Sequence, residues 1–283
     1  MKNQEIQVTE ISSPEFENDF LKYISVESKN LSGRGDICVF VPPGAEKLTD
    51  CPLVILLTGV QGNSRSWSLR SGIHFSVLEM IKKKLIPPLV IAMPSDGLLS
   101  GDGSVCLLPN NFNFEKWIVE DVPAAIKKSI PAISGKSKLF IGGLSMGGFG
   151  AFKIGAKYHN IFTAIAVHSS IINQRELKLV AGENFPDFEQ EDKSEEGVLD
   201  TLLKYKHHLP PFSFDCGVAD TLLESNRLLH QQLIENNIVH DYEEYEGGHE
   251  WAYWQEHIID SMLFFSRYFS AEKDVEVYTN ELK

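Results

Sequence analysis

Cysteine is scarce in this sequence, and its spacing does not suit metal binding or cross-linking. The 283-residue chain has four cysteines that lie far apart, without C-x-x-C spacing: Cys38, Cys51, Cys106 and Cys216. Disulfide frameworks are typical of small secreted proteins, whereas scattered cysteines are typical of reduced thiols in a core or loop. The pattern predicts a cytoplasmic protein without a zinc site or a disulfide framework.

Long apolar runs are also missing. Residues 1–20 are mostly polar and acidic and contain no apolar stretch of the kind that a secretory signal requires. Runs such as Leu53 to Leu57 are far shorter than the roughly 20 residues that a membrane-spanning helix needs. We therefore expect neither a secretory signal nor a transmembrane helix.

Positive charge is in short supply. The chain has 26 Lys and Arg against 39 Asp and Glu, which gives a formal net charge of −13. Nucleic-acid binding needs a basic face, and anionic membranes attract basic surfaces. The charge therefore argues against a nucleic-acid or membrane partner and leaves a small-molecule or carbohydrate ester substrate as the expected partner.

The sequence does contain an alternation of apolar runs with helical patterns. Hydrophobic residues make up 43% of the chain, which is enough for a sizeable core. The predicted strands are Asp19 to Ser28, Gly35 to Val41, Pro52 to Thr58, Pro88 to Met93, Lys138 to Ile141, Phe162 to His168 and Pro211 to Cys216. The predicted helices are Ile73 to Lys84, Phe114 to Ile130, Met146 to Tyr158, Leu222 to Asn236 and Ala252 to Phe269. This order predicts an α/β fold with a mostly parallel sheet, helices on both faces and an antiparallel edge.

Three segments stand apart from that alternation. We expect one domain over residues 1–283 with a polar leader at 1–18. Ser95 to Asn113 has no clear periodicity, and residues 171–209 form an acidic insertion with a short helix near Val198 to Tyr205. Long excursions after strands usually build or cover a binding site. The alternative for the insertion is a solvated surface segment without a role.

A G-x-S-x-G motif centred on Ser145 is the strongest chemical signal. It occupies Gly143 to Gly147, between the apolar strand ending at Ile141 and the small-residue helix from Met146. A sharp strand-turn-helix of this kind exposes a serine nucleophile at the N-terminus of a helix, whose dipole favours a developing oxyanion. The glycines fit because side chains there would collide with neighbouring backbone. The sequence therefore predicts Ser145 as a nucleophile.

His249 is the best candidate for the base that activates Ser145. Hydrolases of this type order their triad as serine, acid and histidine, and His249 follows Gly247-Gly248 after a strand-like segment. His249-Glu250 also begins like the zinc motif H-E-x-x-H, but Tyr253 stands where the second histidine belongs. We therefore predict no metal site and no cofactor.

Asp220 is the predicted acid of the triad. It lies in the turn after the strand Pro211 to Cys216, where a carboxylate can orient the imidazole. Asp215 is the competitor within that strand, and Asp241 is close to His249 in sequence. The oxyanion hole is predicted to combine the Met146 amide with the Val60 amide, in the Gly-containing turn after an earlier buried strand.

These residues together resemble the putative-esterase group of α/β-hydrolases, over about Gly35 to Phe269. The group includes esterase D or S-formylglutathione hydrolase, feruloyl and acetylxylan esterases, and mycolyltransferases. The matching motifs are Leu56-Leu57-Thr58-Gly59, Gly143-Leu144-Ser145-Met146-Gly147-Gly148, Asp215-Cys216-Gly217-Val218-Ala219-Asp220 and Gly247-Gly248-His249-Glu250-Trp251. Many relatives carry His for Thr58 and Asp for Glu250. The resemblance implies an α/β-hydrolase fold and favours Asp220 over Asp215 as the acid.

The function that the sequence predicts is that of a serine carboxylesterase. It would hydrolyse short-chain or sugar-linked acyl esters through an acyl-enzyme on Ser145. The alternatives within this fold are an S-formylglutathione hydrolase or an acyltransferase. An alternative of another class is a non-catalytic binding protein that retains the triad.

Overall fold

One nine-stranded sheet organises the part of the chain that the computed structural model describes, which is residues 6–60, 62–95, 113–181 and 197–269. The strands are β1 (Gln7–Ile11), β2 (Leu21–Ser28), β3 (Gly33–Phe40), β4 (Leu53–Leu57), β5 (Val90–Pro94), β6 (Leu139–Leu144), β7 (Phe162–His168), β8 (Phe212–Gly217) and β9 (Asp241–Tyr245). The α-helices are α1 (Ile73–Lys82), α2 (Phe114–Lys116), α3 (Val122–Ser129), α4 (Met146–Lys157), α5 (Leu177–Ala181), α6 (Val198–Lys204), α7 (Leu223–Glu235) and α8 (Trp251–Ser266).

The sheet is parallel over most of its width. Its strand order is β1-β2-β3-β5-β4-β6-β7-β8-β9. The pairs from β4–β5 to β8–β9 are parallel, and those among β1, β2, β3 and β5 are antiparallel. The predicted α/β fold, with its antiparallel edge, is therefore confirmed. The parallel strands bring the ends of β6, β8 and β9 to the same edge of the sheet.

A strand lies inside the segment that the sequence analysis treats as a polar leader. Strand β1 pairs antiparallel with β2, and the Thr9 hydroxyl donates to the Ser25 carbonyl at 3.1 Å. Four of the five residues of β1 are exposed. An edge strand with little buried surface carries no alternation of apolar and polar residues, so the sequence pattern could not reveal it.

Two apolar layers cover the two faces of the sheet. Side chains alternate along β4, so Leu53 and Ile55 join one layer while Val54 and Leu56 join the other. Helices α3, α4, α6 and α7 cover the first face, and α1 and α8 cover the second. This burial of both faces explains why the central strands are continuous apolar runs in the sequence.

The helical region predicted over Phe114 to Ile130 is divided into three parts. A π-helical turn at Trp117–Asp121 separates α2 from α3. Pro123 lies in the first turn of α3, where a missing N–H is tolerated. The proline therefore marks the start of the last part rather than a kink in a continuous helix.

Parts of the two segments without periodicity lie outside the described residues. These are residues 96–112, which include Cys106, and residues 182–196 of the acidic insertion; Gln61 also lies outside. Cys38, Cys51 and Cys216 are buried. Among the described helices, none is long and apolar enough to cross a membrane.

Candidate active site

Ser145 is the single residue between the end of β6 and the start of α4. Its backbone has φ 54° and ψ −120°, a conformation that non-glycine residues rarely adopt. The Ser145 N–H donates to the carbonyl of His168 at 3.0 Å, and its own carbonyl accepts from the Phe149 N–H at 3.1 Å. Ser145 is 3% exposed. The predicted sharp strand-turn-helix is therefore present, with the serine at the helix N-terminus.

Two glycines make this turn possible. A Cβ added at Gly143 would lie 2.4 Å from the carbonyl oxygen of Gly147. One added at Gly147 would lie 2.5 Å from the carbonyl oxygen of Thr58. Backbone atoms cannot move aside as a flexible side chain can. Only glycine therefore fits at these two positions of the G-x-S-x-G motif.

His249 lies within hydrogen-bond distance of Ser145. The distance from His249 Nε2 to Ser145 Oγ is 3.0 Å, although the two residues are far apart in sequence. Gly247 has φ +129°, and a Cβ there would lie 2.8 Å from Cδ2 of Tyr253. This left-handed glycine turns the chain sharply after β9, which brings the imidazole back across the sheet edge.

Asp220 binds the other side of the same imidazole. Its two carboxylate oxygens are 2.9 Å and 3.1 Å from His249 Nδ1, and Oδ1 also accepts from the Leu222 N–H at 2.8 Å. Because a carboxylate only accepts, Nδ1 carries the proton and Nε2 is left to accept the hydroxyl proton of Ser145. This tautomer is the one that a general base needs.

The ionised form of Asp220 is favoured in this site. Burial acts to raise the pKa of Asp220, but the hydrogen bond and charge of His249 and the Leu222 amide outweigh it, so the pKa is lowered from its ordinary value. The carboxylate is fully buried, whereas the His249 side chain is 21% exposed. The site therefore holds a buried fixed charge behind an imidazole that solvent can reach.

The competing acids lie elsewhere. Asp215 contacts His168 Nδ1 at 2.7 Å and accepts from the Tyr253 hydroxyl at 2.7 Å. Asp241 is at the start of β9 and pairs with Arg267 at 3.0 Å. The structure thus brings Ser145, His249 and Asp220 together.

The two predicted oxyanion donors lie beside Ser145, the predicted nucleophile. Met146 is the first residue of α4, directly after Ser145. Val60 follows Gly59, where an added Cβ would lie 3.6 Å from Ser145 Oγ. The turn containing Val60 therefore borders the serine hydroxyl. The role of the two amides stays a prediction.

An aromatic cluster beside His249 includes Trp67, which no sequence pattern indicated as part of the site. The Trp254 ring meets the His249 ring edge-on with centroids 5.0 Å apart, and Trp251 contacts both Trp254 and Trp67. The Trp67 indole N–H donates to the Leu57 carbonyl at 3.0 Å, which ties the cluster to the end of β4. No sequence signal joins Trp67 to residues so distant in the chain.

Within the described ranges, no group of three or more His, Cys, Asp or Glu side chains could hold a metal ion. Tyr253, at the position where a zinc motif would place histidine, donates its hydroxyl proton to Asp215.

Both the family model and the curated relative that match this sequence are described as esterases. The family model described as Putative esterase matches residues 28–265. An acetyl esterase of Caldicellulosiruptor saccharolyticus is 29% identical over 170 residues, which cover 54% of this chain and 64% of that protein. The match therefore spans less than two thirds of the relative's own length.

Several solved structures share the fold. A ferulic acid esterase superposes with a TM-score of 0.72 at 21% identity, covering 88% of this chain and 97% of that one. An S-formylglutathione hydrolase from Agrobacterium tumefaciens gives 0.72 at 18% identity, with 93% and 100% coverage. One from Staphylococcus aureus gives 0.70 at 17%, with 91% and 100%. At such identities the likeness shows the α/β-hydrolase fold alone.

Proposed function

The chain belongs to the Putative esterase family, and on that premise we propose that it is a serine carboxylesterase with Ser145, His249 and Asp220 as its triad. One observation carries the proposal: a single imidazole lies 3.0 Å from the Ser145 hydroxyl and 2.9 Å from the Asp220 carboxylate. A general base requires both contacts: one to take the serine proton and one to hold the imidazole in the right tautomer.

Acylation is the first step of the proposed reaction. Nε2 of His249 takes the hydroxyl proton as Ser145 Oγ attacks the ester carbonyl, and Asp220 stabilises the imidazolium that forms. The Val60 and Met146 amides would donate to the oxyanion of the tetrahedral intermediate. His249 then gives its proton to the departing alcohol, which leaves the acyl group on Ser145.

Deacylation repeats these steps with water. His249 removes a proton from a water molecule as the water oxygen attacks the acyl carbonyl. The proton then passes from His249 to Ser145 Oγ when the carboxylic acid leaves. No metal ion or redox group is needed for either step. The partially exposed imidazole is consistent with water entering on this side.

The proposed substrates are short-chain or sugar-linked acyl esters. The acetyl esterase among the relatives supports this class. Buried cysteines at positions 38, 51 and 216 support a cytoplasmic location, since the cytoplasm keeps thiols reduced.

Replacing the nucleophile tests the proposal. We expect Ser145→Ala to lower kcat for p-nitrophenyl acetate by about 10⁴-fold or more, because the acyl-enzyme cannot form. Ser137→Ala is a matched control, since Ser137 is also buried but precedes β6 at its opposite end. Wild-type turnover by Ser145→Ala, with unchanged circular dichroism, would contradict the proposal.

A panel of S-formylglutathione, feruloyl esters and acetylated oligosaccharides would then define the acyl and alcohol preferences.

A further inference from the structure

Four polar side chains form a second buried network, which is linked by two hydrogen bonds and one close nitrogen–oxygen contact. His168 Nδ1 is 2.7 Å from the Asp215 carboxylate, whose other oxygen accepts from the Tyr253 hydroxyl at 2.7 Å. His168 Nε2 is 2.8 Å from Ser261 Oγ. The exposed fractions are 0% for His168, 7% for Asp215, 2% for Tyr253 and 4% for Ser261. Water therefore cannot reach this network to act as substrate, so it is not a second reaction centre.

A buried network that contains a carboxylate is unusual in a protein core. Burying a carboxylate is costly unless hydrogen bonds compensate, and apolar side chains of similar volume often fill the same space with equal or better stability. Burial and the nearby carboxylate of Asp215 raise the pKa of Tyr253, so its hydroxyl keeps its proton and donates. Stability alone therefore does not account for this arrangement, and its position in the fold becomes informative.

The network touches the loops that carry all three triad residues. The carbonyl of His168 accepts from the N–H of Ser145, and Asp215 lies on the strand that leads into Asp220. On the third side, the Tyr253 ring packs on Gly247, two residues before His249: a Cβ added at Gly247 would lie 2.8 Å from the ring.

The glycine turn before His249 is held from both sides. On one side, the Gly247 carbonyl accepts from the Ala219 N–H at 2.8 Å, and a Cβ at Gly217 would lie 2.4 Å from that carbonyl oxygen. On the other side is the Tyr253 ring. The hydroxyl of that ring donates to Asp215 at 2.7 Å, so the ring is held at its far end as well.

We propose that Asp215 and Tyr253 are positioning residues for the reaction: the Asp215–Tyr253 hydrogen bond sets the place of the Gly247–Gly248 turn and so the distance from His249 to Ser145. The inference rests on the proposed function, because it concerns the base of that reaction. A displacement of about 1 Å at a reacting group can lower the rate by about 100-fold. The Asp215–Tyr253 hydrogen bond thus acts through His249 and not on the substrate.

The test compares two deletions of a buried hydroxyl from α8. Tyr253→Phe keeps the ring but removes the bond to Asp215, and we expect kcat for p-nitrophenyl acetate to fall at least tenfold with KM within about threefold. Ser261→Ala, the control, removes the bond at the far end of the network, away from Gly247, and should keep kcat within about twofold. A kcat of Tyr253→Phe within twofold of wild type would overturn the proposal.

A double-mutant comparison separates positioning from loss of folded protein. In a His249→Ala background, Tyr253→Phe should cause no further loss of residual activity, since the base through which it acts is gone. An equal fold-loss in both backgrounds would instead mean a structural role and would overturn the proposal. The proton NMR signal of the His249–Asp220 hydrogen bond is a readout that needs no substrate. Its chemical shift should change in Tyr253→Phe and should be unchanged in Ser261→Ala.

Failure of this inference differs from failure of the proposed function. An active Ser145→Ala variant contradicts the esterase mechanism. An inactive Ser145→Ala variant together with wild-type kcat and an unmoved resonance in Tyr253→Phe contradicts only the positioning role.

Discussion

At the residue scale, the proposed nucleophile Ser145 occupies a backbone conformation that the rest of the fold must enforce. A positive φ at Ser145 costs about 1–3 kcal/mol. Three hydrogen bonds of its backbone oppose this strain: the Ser145 N–H donates to the His168 carbonyl, and the Ser145 carbonyl accepts from the N–H groups of Phe149 and Ile171. The glycines at 143 and 147 remove the steric conflict that side chains would add. The hydroxyl is thereby aimed at His249 before any substrate arrives.

Gly147→Ala tests this steric account. The new Cβ would lie 2.5 Å from the Thr58 carbonyl oxygen, which belongs to the backbone, so we expect a loss of about 3 kcal/mol in the free energy of unfolding. Esterase activity should fall with it, because the Thr58–Gly59 turn borders Ser145. Gly135→Ala is the control: its nearest neighbour is the mobile Lys127 Nζ at 3.2 Å, and we expect a change within about 0.5 kcal/mol. Equal urea midpoints for the two variants would show the account to be wrong.

At the element scale, the strands that lead into the proposed triad residues are separated from the antiparallel strands at the other side of the sheet. Strands β6, β8 and β9 lie in one half of the strand order and deliver Ser145, Asp220 and His249 at their ends. Strand β1 is at the other margin, with β2, β3, β5 and β4 between it and β6. Its main contribution is to cover the edge of β2.

Deleting residues 1–12 therefore should affect stability more than catalysis. We expect the Tm to fall by about 2–6 °C, since the loss of one mostly exposed strand costs about 1–2 kcal/mol. The kcat for p-nitrophenyl acetate should stay within about twofold of the full chain. A tenfold or greater loss of kcat at a temperature where the truncated protein is fully folded would contradict this separation of roles.

Sequence patterns predicted elements better than they predicted contacts between distant residues. The apolar runs located the buried strands to within three residues at each end, because burial on both faces leaves a continuous signal. Chain order and loop position indicated His249 and Asp220. The bond of Asp215 to Tyr253 and the approach of Trp67 to Trp251 arise only when elements pack, so no local pattern could reveal them. Strand β1 was missed because it buries little.

At the scale of the whole molecule, two apolar layers share one sheet. Phe152 of α4 lies in the layer on one face, and Phe265 of α8 lies in the layer on the other. Both side chains are fully buried, at 0% exposure. Because alternate residues of β4 contribute to both layers, loss of packing on one face should loosen the other. We therefore expect cooperative unfolding, which is what the prediction of a single domain over residues 1–283 also requires.

Phe152→Ala and Phe265→Ala test this coupling. Each should lower the free energy of unfolding by about 3–5 kcal/mol through lost burial and a residual cavity. Each should also leave one transition, with tryptophan fluorescence and circular dichroism changing together in urea. Phe16→Ala, at a side chain that is 76% exposed, should change stability by no more than about 0.5 kcal/mol. Two separate transitions in either core variant would contradict a single cooperative unit.

The central claim is that His249 and Asp220 make Ser145 a nucleophile, and covalent labelling tests it most directly. The protein is treated with a fluorophosphonate, and the adduct is located by intact-mass and peptide mass spectrometry. We predict rapid addition of one group on Ser145, no addition to Ser145→Ala, and labelling of His249→Ala slowed by about 1000-fold or more. Labelling of a different residue, or wild-type labelling of Ser145 without His249, would contradict the account.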